Sequence, residues 1–360
     1  MGDFVVSARK YRPVTFEDVI GQHHITETLQ NAISRNMVAQ AMLFCGPRGV
    51  GKTTCARILA HNINAIEGAM PKSGALSMNV FELDAASNNS VDDIRNLTQQ
   101  VRVPPQSGKY KVYIIDEVHM LSQSAFNAFL KTLEEPPPYA VFVLATTEKH
   151  KVLPTILSRC QIFDFKRIAL SDIVDHLQHI ANKENIKTDK EVLYAIAQRA
   201  DGALRDALSL YDTILAFSKN KTLNKTDAQA YLDLIGHEQF FALMTQLKNG
   251  QLGEAFCSLD KIINQGIDLQ HFMDDFRRHI RHLLFVQDER TYTLMQMSED
   301  TAQTFKQACT QYDKRFLIKM LETLHASSEE LRMSNMPRLC VELALMKLQQ
   351  LFEENVKKKF

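Results

Sequence analysis

Two hydrophobic patterns divide the chain into an early part and a later part. Up to about residue 165, short apolar runs typical of strands alternate with segments of helical spacing. Residues 112–115 (Val-Tyr-Ile-Ile) and 141–144 (Val-Phe-Val-Leu) are apolar throughout, as expected for a parallel sheet covered on both faces. This pattern predicts that the early part of the chain folds as a three-layer α/β domain. Its predicted strands cover residues 41–44, 79–83, 111–115, 140–145 and 161–165.

After residue 170 the strand runs stop, and apolar residues recur at i, i+3 and i+4 spacing, which predicts helices. Ser171, Asp189 and Thr226 precede such segments and are predicted N-caps, because their side chains can accept hydrogen bonds from free helical amides. Gly236 interrupts the pattern and divides a small helical domain from a larger one. The predicted domains are residues 1–168, 169–234 and 235–360.

Composition and charge narrow the class of protein. The 360 residues are enough for two or three domains. Lys plus Arg is 42 and Asp plus Glu is 42, so the net charge is zero, which argues against a basic protein that coats nucleic acid. The six cysteines form no C-x-x-C pair, so we expect reduced, buried thiols.

The sequence contains no segment that predicts contact with a membrane. No apolar run approaches the roughly 18 residues that a membrane-spanning helix needs. Residues 1–8 lack a basic segment followed by a long apolar one, so we expect no export signal. The expected location is the cytoplasm.

A glycine-rich segment between a predicted strand and a predicted helix satisfies the P-loop pattern G-x-x-x-x-G-K-[ST]. Glycines allow the backbone to wrap around phosphates, Lys52 can reach the phosphate oxygens, and Thr53 can ligate Mg²⁺. The segment therefore predicts a site for ATP with Mg²⁺. Its residues are Gly46, Pro47, Arg48, Gly49, Val50, Gly51, Lys52, Thr53 and Thr54.

Two acids, Asp116 and Glu117, end the apolar run at residues 111–115. At the carboxyl edge of a sheet, Asp116 can complete the Mg²⁺ site and Glu117 can position or deprotonate the attacking water. Acids at a strand end are commonly solvated surface residues. Their pairing with a P-loop favours the catalytic interpretation.

Further segments carry a family resemblance in the same order along the chain. They are residues 9–13, 18–22, 83–87, 116–119, 130–137, 144–147, 158–160 and 204–210. Over its first 235 residues the chain closely resembles the gamma/tau subunit family of the bacterial DNA polymerase III clamp loader, a family of AAA+ ATPases. The resemblance implies a RecA-like P-loop AAA+ domain at 1–168, a helical lid at 169–234 and an oligomerising helical collar at 235–360.

The resemblance implies roles for several side chains. Thr146 or Thr147 matches the sensor of the γ-phosphate, and either hydroxyl remains a candidate. Arg205 resembles the second sensor, a lid arginine that contacts phosphate in the chain's own site. Ala203 stands where serine is expected in the family.

Two further assignments also rest on the resemblance. Residues Tyr11, Arg12 and Pro13 match the segment that packs against adenine, with Tyr11 where tryptophan is frequent. Arg159 resembles the arginine finger that reaches the nucleotide of a neighbouring subunit. The alternative for Arg159 is a helix-end arginine in a surface salt bridge, which is a common setting.

A capping box is predicted at Ser90 and Asp93, so a helix begins after Ser90. Its free amides could face DNA phosphate, with Asn89 and Arg95 as candidate contacts, because clamp loaders track duplex DNA. From the residues alone, an ordinary capped helix with Arg95 in solvent is favoured.

Clamp-loader motors of this type usually carry a four-cysteine zinc module, and the matching residues 65–79 contain no cysteine or histidine. Cys55 and His61 are nearest, on the P-loop helix. We therefore expect no structural zinc and a mobile surface loop.

Beyond residue 235, the histidines have no metal-binding pattern and are predicted on helix surfaces, whereas apolar residues such as Phe272 and Phe276 predict a core. The histidines with this prediction are His271, His279, His282 and His325.

The function that the resemblance implies is that of an ATP-hydrolysing motor subunit, which loads a sliding clamp onto primed DNA during replication. The expected partners are other clamp-loader subunits in a hetero-oligomer, the sliding clamp and primer-template DNA. We expect no polymerase active site, and none of the polymerase- or helicase-binding domains of the longer family form. The alternatives are another AAA+ motor, such as a branch-migration or protein-remodelling ATPase, and a non-catalytic scaffold, which would be expected to have a broken P-loop.

Overall fold

The computed structural model describes residues 5–64, 79–106, 108–218, 222–224, 235–295, 297 and 299–357. The chain divides into two compact units, Met1–Leu177 with Ala197–Thr213 and Gln178–Ile196 with Ile214–Phe360. The described strands are β1 (Ala41–Cys45), β2 (Val80–Asp84), β3 (Lys111–Asp116), β4 (Ala140–Thr146), β5 (Gln161–Asp164), β6 (Lys187–Thr188) and β7 (Thr222–Leu223).

The described helices belong to both units. They are α1 (Ser7–Lys10), α2 (His23–Ser34), α3 (Lys52–Asn64), α4 (Val91–Val101), α5 (Gln123–Glu134), α6 (Pro154–Leu157), α7 (Leu170–Lys183), α8 (Lys190–Ala200), α9 (Leu204–Phe217), α10 (His237–Lys248), α11 (Leu252–Asn264), α12 (Leu269–Phe285), α13 (Glu299–Cys309), α14 (Lys314–Met333) and α15 (Pro337–Lys357). Short 3-10 segments cover Val118–Met120, Lys149–Lys151 and Glu289–Met295.

A 5-stranded parallel sheet organises the first unit, in the order β2-β3-β4-β1-β5. The inner strands β1, β3 and β4 are buried along nearly their whole length, whereas the edge strands β2 and β5 are partly exposed. Burial on both faces explains why the inner strands read as continuous apolar runs. The predicted α/β class is confirmed, and the predicted strands agree with the observed ones to within about one residue at each end.

Helices cover both faces of the sheet. On one face, Leu59 of α3 shares a buried cluster with Val143 of β4. On the other, the Phe129 ring of α5 lies edge-on to Phe142 of β4, with their centroids 5.3 Å apart. Burying each such side chain contributes about 1.5–3 kcal/mol. This three-layer packing holds the carboxyl ends of the parallel strands at one edge of the sheet.

The second unit has its own core, in which the Phe240 and Phe276 rings stack at a centroid distance of 5.1 Å. Phe272 is also buried there, so the prediction of a helical core beyond residue 235 is confirmed. One detail differs, because β6 and β7 form a 2-stranded parallel sheet within the part predicted to be helical. Two-residue strands are too short to produce a recognisable hydrophobic pattern.

The predicted N-caps have different outcomes. Asp189 directly precedes α8, the position predicted for the N-cap, and its backbone carbonyl oxygen accepts a hydrogen bond from the Val192 amide at 3.0 Å; capping by its side chain remains a prediction. Ser171 lies inside the first turn of α7, so the N-cap prediction there is wrong. Thr226 lies outside the described residues. The capping box at Ser90 and Asp93 is confirmed, with both reciprocal hydrogen bonds at 3.2 Å.

All six cysteines have free thiols, in agreement with the prediction. Burial raises the pKa of Cys45 to about 11 and that of Cys55 to about 12, so these thiols are protonated and unreactive at neutral pH. Cys257 is exposed, and the prediction of a buried thiol is wrong for it.

Two histidines of α12 are buried inside the second unit, and the prediction that they lie on a helix surface is wrong. His279 and His282 are almost inaccessible to solvent, and both pack against the Phe305 ring. Burial, reinforced by the charge of the neighbouring His237, lowers the pKa of His282 to about 3 and that of His279 well below its usual value. Both imidazoles are therefore neutral in the folded protein at neutral pH.

Acid should destabilise the second unit through these histidines. Each folded-state pKa is below the unfolded value of about 6.5, so the unfolded chain takes up protons first as the pH falls through that value. We expect a loss of about 2 kcal/mol from His282 between pH 7 and pH 5, and a further loss from His279. Urea unfolding of this unit at both pH values is the measurement. His282→Gln should reduce the loss, whereas His325→Gln, at an exposed position, should not. An unchanged loss in His282→Gln would contradict this account.

Candidate functional site

The P-loop connects β1 to α3 at the carboxyl edge of the sheet. Three of its glycines have positive φ: Gly46 at 145°, Gly49 at 74° and Gly51 at 105°. A Cβ atom on Gly46 would overlap the carbonyl oxygen of Phe165, so the loop needs glycine there for space as well as for conformation.

Lys52 begins α3 and is buried, with 6% of its surface exposed. Its Nζ donates hydrogen bonds to the carbonyl oxygens of Gly46 and Pro47, each at 2.7 Å. Burial lowers the pKa of Lys52, and the carboxylates of Asp116 and Glu117 oppose that shift. The ammonium group therefore lies inside the loop, next to the backbone that would surround a phosphate.

Thr53 and Asp116 meet at the ends of α3 and β3. The Thr53 hydroxyl donates a hydrogen bond to Asp116 Oδ2 at 2.7 Å, and Asp116 Oδ1 accepts one from the Glu117 amide at 3.0 Å. A hydroxyl and a carboxylate side by side fit Mg²⁺, which uses one or two protein oxygens together with phosphate oxygens and waters. The structure thus brings together the two predicted metal ligands.

Glu117 has the left-handed conformation, with φ 49° and ψ 45°. A non-glycine residue in this region carries strain on the order of 1 kcal/mol, so the surroundings must hold it there. Thr147 does so directly, because its amide and hydroxyl donate hydrogen bonds to Glu117 Oε2 at 3.1 and 3.0 Å. No local pattern indicates this contact, which joins the ends of β3 and β4.

The two candidate sensor threonines lie side by side but have different contacts. Thr147 binds Glu117, as described above. Thr146 is fully buried, and its Oγ1 lies 3.0 Å from His119 Nδ1 and accepts a hydrogen bond from the Glu148 amide at 3.0 Å. Thr147 is therefore the threonine whose side chain contacts the predicted catalytic acid.

A cavity of about 560 Å³ opens at this edge of the first unit. The predicted residues that line it are Tyr11, Arg12, Pro13, Arg48, Gly49, Val50, Gly51, Lys52, Thr53, Thr54, Asp116, Glu117 and Arg205. Its volume and its mixture of apolar and charged groups suit a small polyanionic ligand. Most of the site that the sequence predicts is thus assembled around one space.

The cavity lining holds more cationic side chains, four of them arginines, than acidic ones. Burial, and then the positive charges of Arg57 and Arg205, lower the pKa of Arg12 from its ordinary value. Repulsion among these guanidinium groups would be relieved by a bound anion. Arg57 is not among the predicted site residues, yet it lines the cavity and pairs with Glu82 at 2.6 Å. Its position one helical turn after Thr53 is the signal that could have found it.

The backbone of Arg205 contacts the P-loop directly. Its amide donates a hydrogen bond to the Gly49 carbonyl oxygen at 3.4 Å, and a Cβ atom on Gly49 would lie 3.1 Å from the Cβ of Ala203. The start of α9 is therefore packed closely against the loop. Glycine at position 49 leaves room for the Ala203 side chain.

The N-terminal segment is hydrogen-bonded to α9. The Ser7 amide donates a hydrogen bond to Asp212 Oδ2 at 2.6 Å, and the Ser7 hydroxyl donates one to Asp212 Oδ1. Ser7 begins α1, which leads into Tyr11 and Arg12. These hydrogen bonds hold the predicted adenine-binding segment against α9, which also carries Arg205.

Arg159 is a predicted site residue that does not line the cavity. It follows α6 and pairs with Glu134 at 2.5 Å, and it also donates a hydrogen bond to the Thr155 carbonyl oxygen at 2.7 Å. Within one chain it therefore has the surface ion pair that was the alternative interpretation. Its exposed position leaves it accessible to a neighbouring molecule.

The start of α4 has the contacts of an ordinary capped helix. Ser90 and Asp93 satisfy each other, and Arg95 is exposed and pairs with Asp92 at 3.2 Å. This arrangement matches the interpretation that the residues alone favoured. Contact with DNA through Asn89 or Arg95 remains a prediction.

Among the described residues, no cluster of three or more His, Cys, Asp or Glu side chains is arranged to hold a metal ion. Residues 65–78, where the family's zinc module is expected, lie outside the described residues. We predict that purified protein contains no stoichiometric zinc, because residues 65–79 provide no cysteine or histidine ligand. Elemental analysis after dialysis is the measurement. About one retained zinc per chain would show the prediction to be wrong.

Comparison with protein families gives three matches in sequence order. Residues 21–169 match "DNA polymerase III, delta subunit", residues 172–220 match "DNA polymerase III clamp loader subunit, ATPase lid domain", and residues 223–359 match "DNA polymerase III subunits gamma and tau domain III". DNA polymerase III subunit gamma of Buchnera aphidicola is 36% identical over 282 residues, which cover 75% of this chain and 76% of that protein. The chain belongs to the gamma/tau family of DNA polymerase III subunits.

Other members of the gamma/tau family are longer than this chain. The tau subunit of Bacillus subtilis is 39% identical over 354 residues, which cover 95% of this chain and 62% of that protein. The chain thus spans about three fifths of that relative. Among solved structures, a variant of Thermotoga maritima RuvB has a TM-score of 0.50 and 20% identity, and the match covers 69% of this chain and 85% of that one. This likeness shows a shared AAA+ fold alone. No helix in the described ranges is both long enough and apolar enough to cross a membrane.

Proposed function

We propose that this gamma/tau family member is an ATP-hydrolysing motor subunit of a bacterial DNA polymerase III clamp loader. In this role it works in the cytoplasm with other loader subunits and places a sliding clamp on primer-template DNA. The observation that carries the proposal is that Lys52, Thr53, Asp116 and Glu117 line one cationic cavity. Family membership supports the same activity.

In the proposed reaction, the P-loop amides and Lys52 bind the β- and γ-phosphates of ATP, and Lys52 exchanges its carbonyl contacts for phosphate oxygens. Thr53 and Asp116 would hold Mg²⁺, which neutralises the charge that develops on the phosphates. Tyr11, Arg12 and Pro13 would enclose the adenine.

Glu117 would orient the attacking water and accept its proton as the bond to the γ-phosphate breaks. Thr147 occupies Glu117 Oε2 with two hydrogen bonds, so Oε1 remains to accept from water. Arg205 would contact phosphate in the same site, because α9 packs against the P-loop.

Arg159 would complete the site of a neighbouring subunit, which explains its exposure and its distance from the chain's own cavity. We propose a lid at residues 169–234 and a collar at 235–360 that joins the subunits. The family matches to a lid domain and to domain III support these two assignments.

The test is the ATPase rate of the assembled loader with the clamp alone, with primed DNA alone and with both. A strong joint stimulation is expected. Stimulation by DNA without any effect of the clamp, together with a homohexamer on size-exclusion chromatography, would favour another AAA+ motor instead. No hydrolysis at all would favour the scaffold.

A further inference from the structure

His119 connects the two strand ends that form the catalytic edge of the site. It lies in the 3-10 turn after β3, and its side chain is only 7% exposed. Its Nδ1 is 3.0 Å from Thr146 Oγ1 and 3.4 Å from Glu117 Oε2, and its Nε2 is 3.2 Å from Glu148 Oε2. One buried imidazole therefore touches the predicted base and the residues on both sides of Thr147.

The two ring nitrogens of His119 contact different partners. Nε2 lies within ion-pair distance of the Glu148 carboxylate. Thr146 Oγ1 accepts a hydrogen bond from the Glu148 amide and lies within hydrogen-bond distance of Nδ1. The ring thus contacts Thr146 through Nδ1 and Glu148 through Nε2.

The contacts of His119 also determine how Thr147 is held. His119 binds the residue before it and the residue after it, so the ring fixes the turn from which the Thr147 amide and hydroxyl donate to Glu117 Oε2. Without the ring, the turn would lose two of its side-chain contacts. Glu117, which is held in a left-handed conformation, would then lose the alignment of its donors.

We propose that His119 is a positioning residue for ATP hydrolysis, which acts through Thr147 to orient Glu117 toward the attacking water. The proposal rests on the proposed ATPase function and adds a residue to it. Misplacement of a catalytic group by about 1 Å can reduce a rate by about a hundredfold, so a shift of the turn has a measurable effect.

The experiment is a double-mutant cycle on the kcat of the assembled loader with clamp and primed DNA. His119→Ala and Thr147→Val are each expected to lower kcat at least about tenfold, with the KM for ATP within about twofold of the wild type. The double variant should be no slower than the slower single variant, because both changes remove the same alignment.

Conservative variants separate the two contacts of the ring. His119→Asn keeps a polar atom for Thr146, and His119→Gln keeps a donor for Glu148, so each should recover part of the lost kcat. His150→Ala is the matched control, since His150 is exposed and lies 3.8 Å from the other oxygen of Glu148. It should leave kcat unchanged. Melting temperatures and titration with a fluorescent nucleotide confirm that each variant is folded and binds nucleotide.

Several results would overturn the inference. These are a single variant with unchanged or raised kcat, a rise in KM that accounts for the loss, and single-variant effects that multiply in the double variant. If the wild-type loader shows no ATPase activity, the proposed ATPase function is wrong, and this result does not by itself test the role of His119. The crystal structure of His119→Ala then decides the inference, because Glu117 is expected to lose its contacts with Thr147 and their retention would refute it.

Discussion

Glu117→Gln should bind ATP as tightly as the unchanged chain and hydrolyse it about a hundredfold more slowly or worse. The amide preserves the shape of the side chain but cannot accept the proton of the attacking water, and general-base catalysis contributes about 10²–10⁴ in rate. Lys52→Ala should instead weaken ATP binding, because it removes a buried ammonium group from the phosphate-binding loop. Titration with a fluorescent nucleotide, followed by single-turnover hydrolysis, separates the two effects.

A matched control for the loss of a carboxylate is Glu135→Gln, at an exposed position just after α5. It should change neither binding nor hydrolysis. Near-normal turnover in Glu117→Gln would remove Glu117 from the proposed role of base. Tight nucleotide binding by Lys52→Ala would remove Lys52 from the phosphate site.

Arg159→Ala should lower the stimulated ATPase rate of the assembled loader by about a thousandfold, while the isolated chain keeps its affinity for nucleotide. The physical reason is that an arginine finger stabilises transition-state charge in the neighbouring site and contributes about 10³–10⁵ in rate. The position of Arg159 outside the chain's own cavity requires that the effect appear only in the complex. Steady-state rates with clamp and primed DNA, beside nucleotide titration of the isolated chain, are the measurements.

Glu134→Gln is the control, because it breaks the same ion pair and leaves the arginine in place. An exposed pair contributes at most about 1 kcal/mol, so this variant should fold normally and retain most of the rate. An equal loss in both variants would assign Arg159 a structural role. A fall in the nucleotide affinity of isolated Arg159→Ala would place it in its own site.

The sequence by itself determined the features that depend on local chemistry. Continuous apolar runs predicted the inner strands, because a strand buried on both faces tolerates no polar alternation. The glycines of the P-loop predicted its position, since their positive φ angles are costly for other residues. Ser90 and Asp93 predicted a helix start, because both capping hydrogen bonds lie within four residues.

Only the tertiary structure decided which distant residues meet. The hydrogen bonds from Thr147 to Glu117 and the position of His119 between two strand ends follow from the alignment of β3 with β4, which no local pattern encodes. The burial of His279 and His282 likewise depends on the helices that pack around α12. Helical spacing shows which residues share a face, but burial and contact partners depend on packing between segments far apart in the chain.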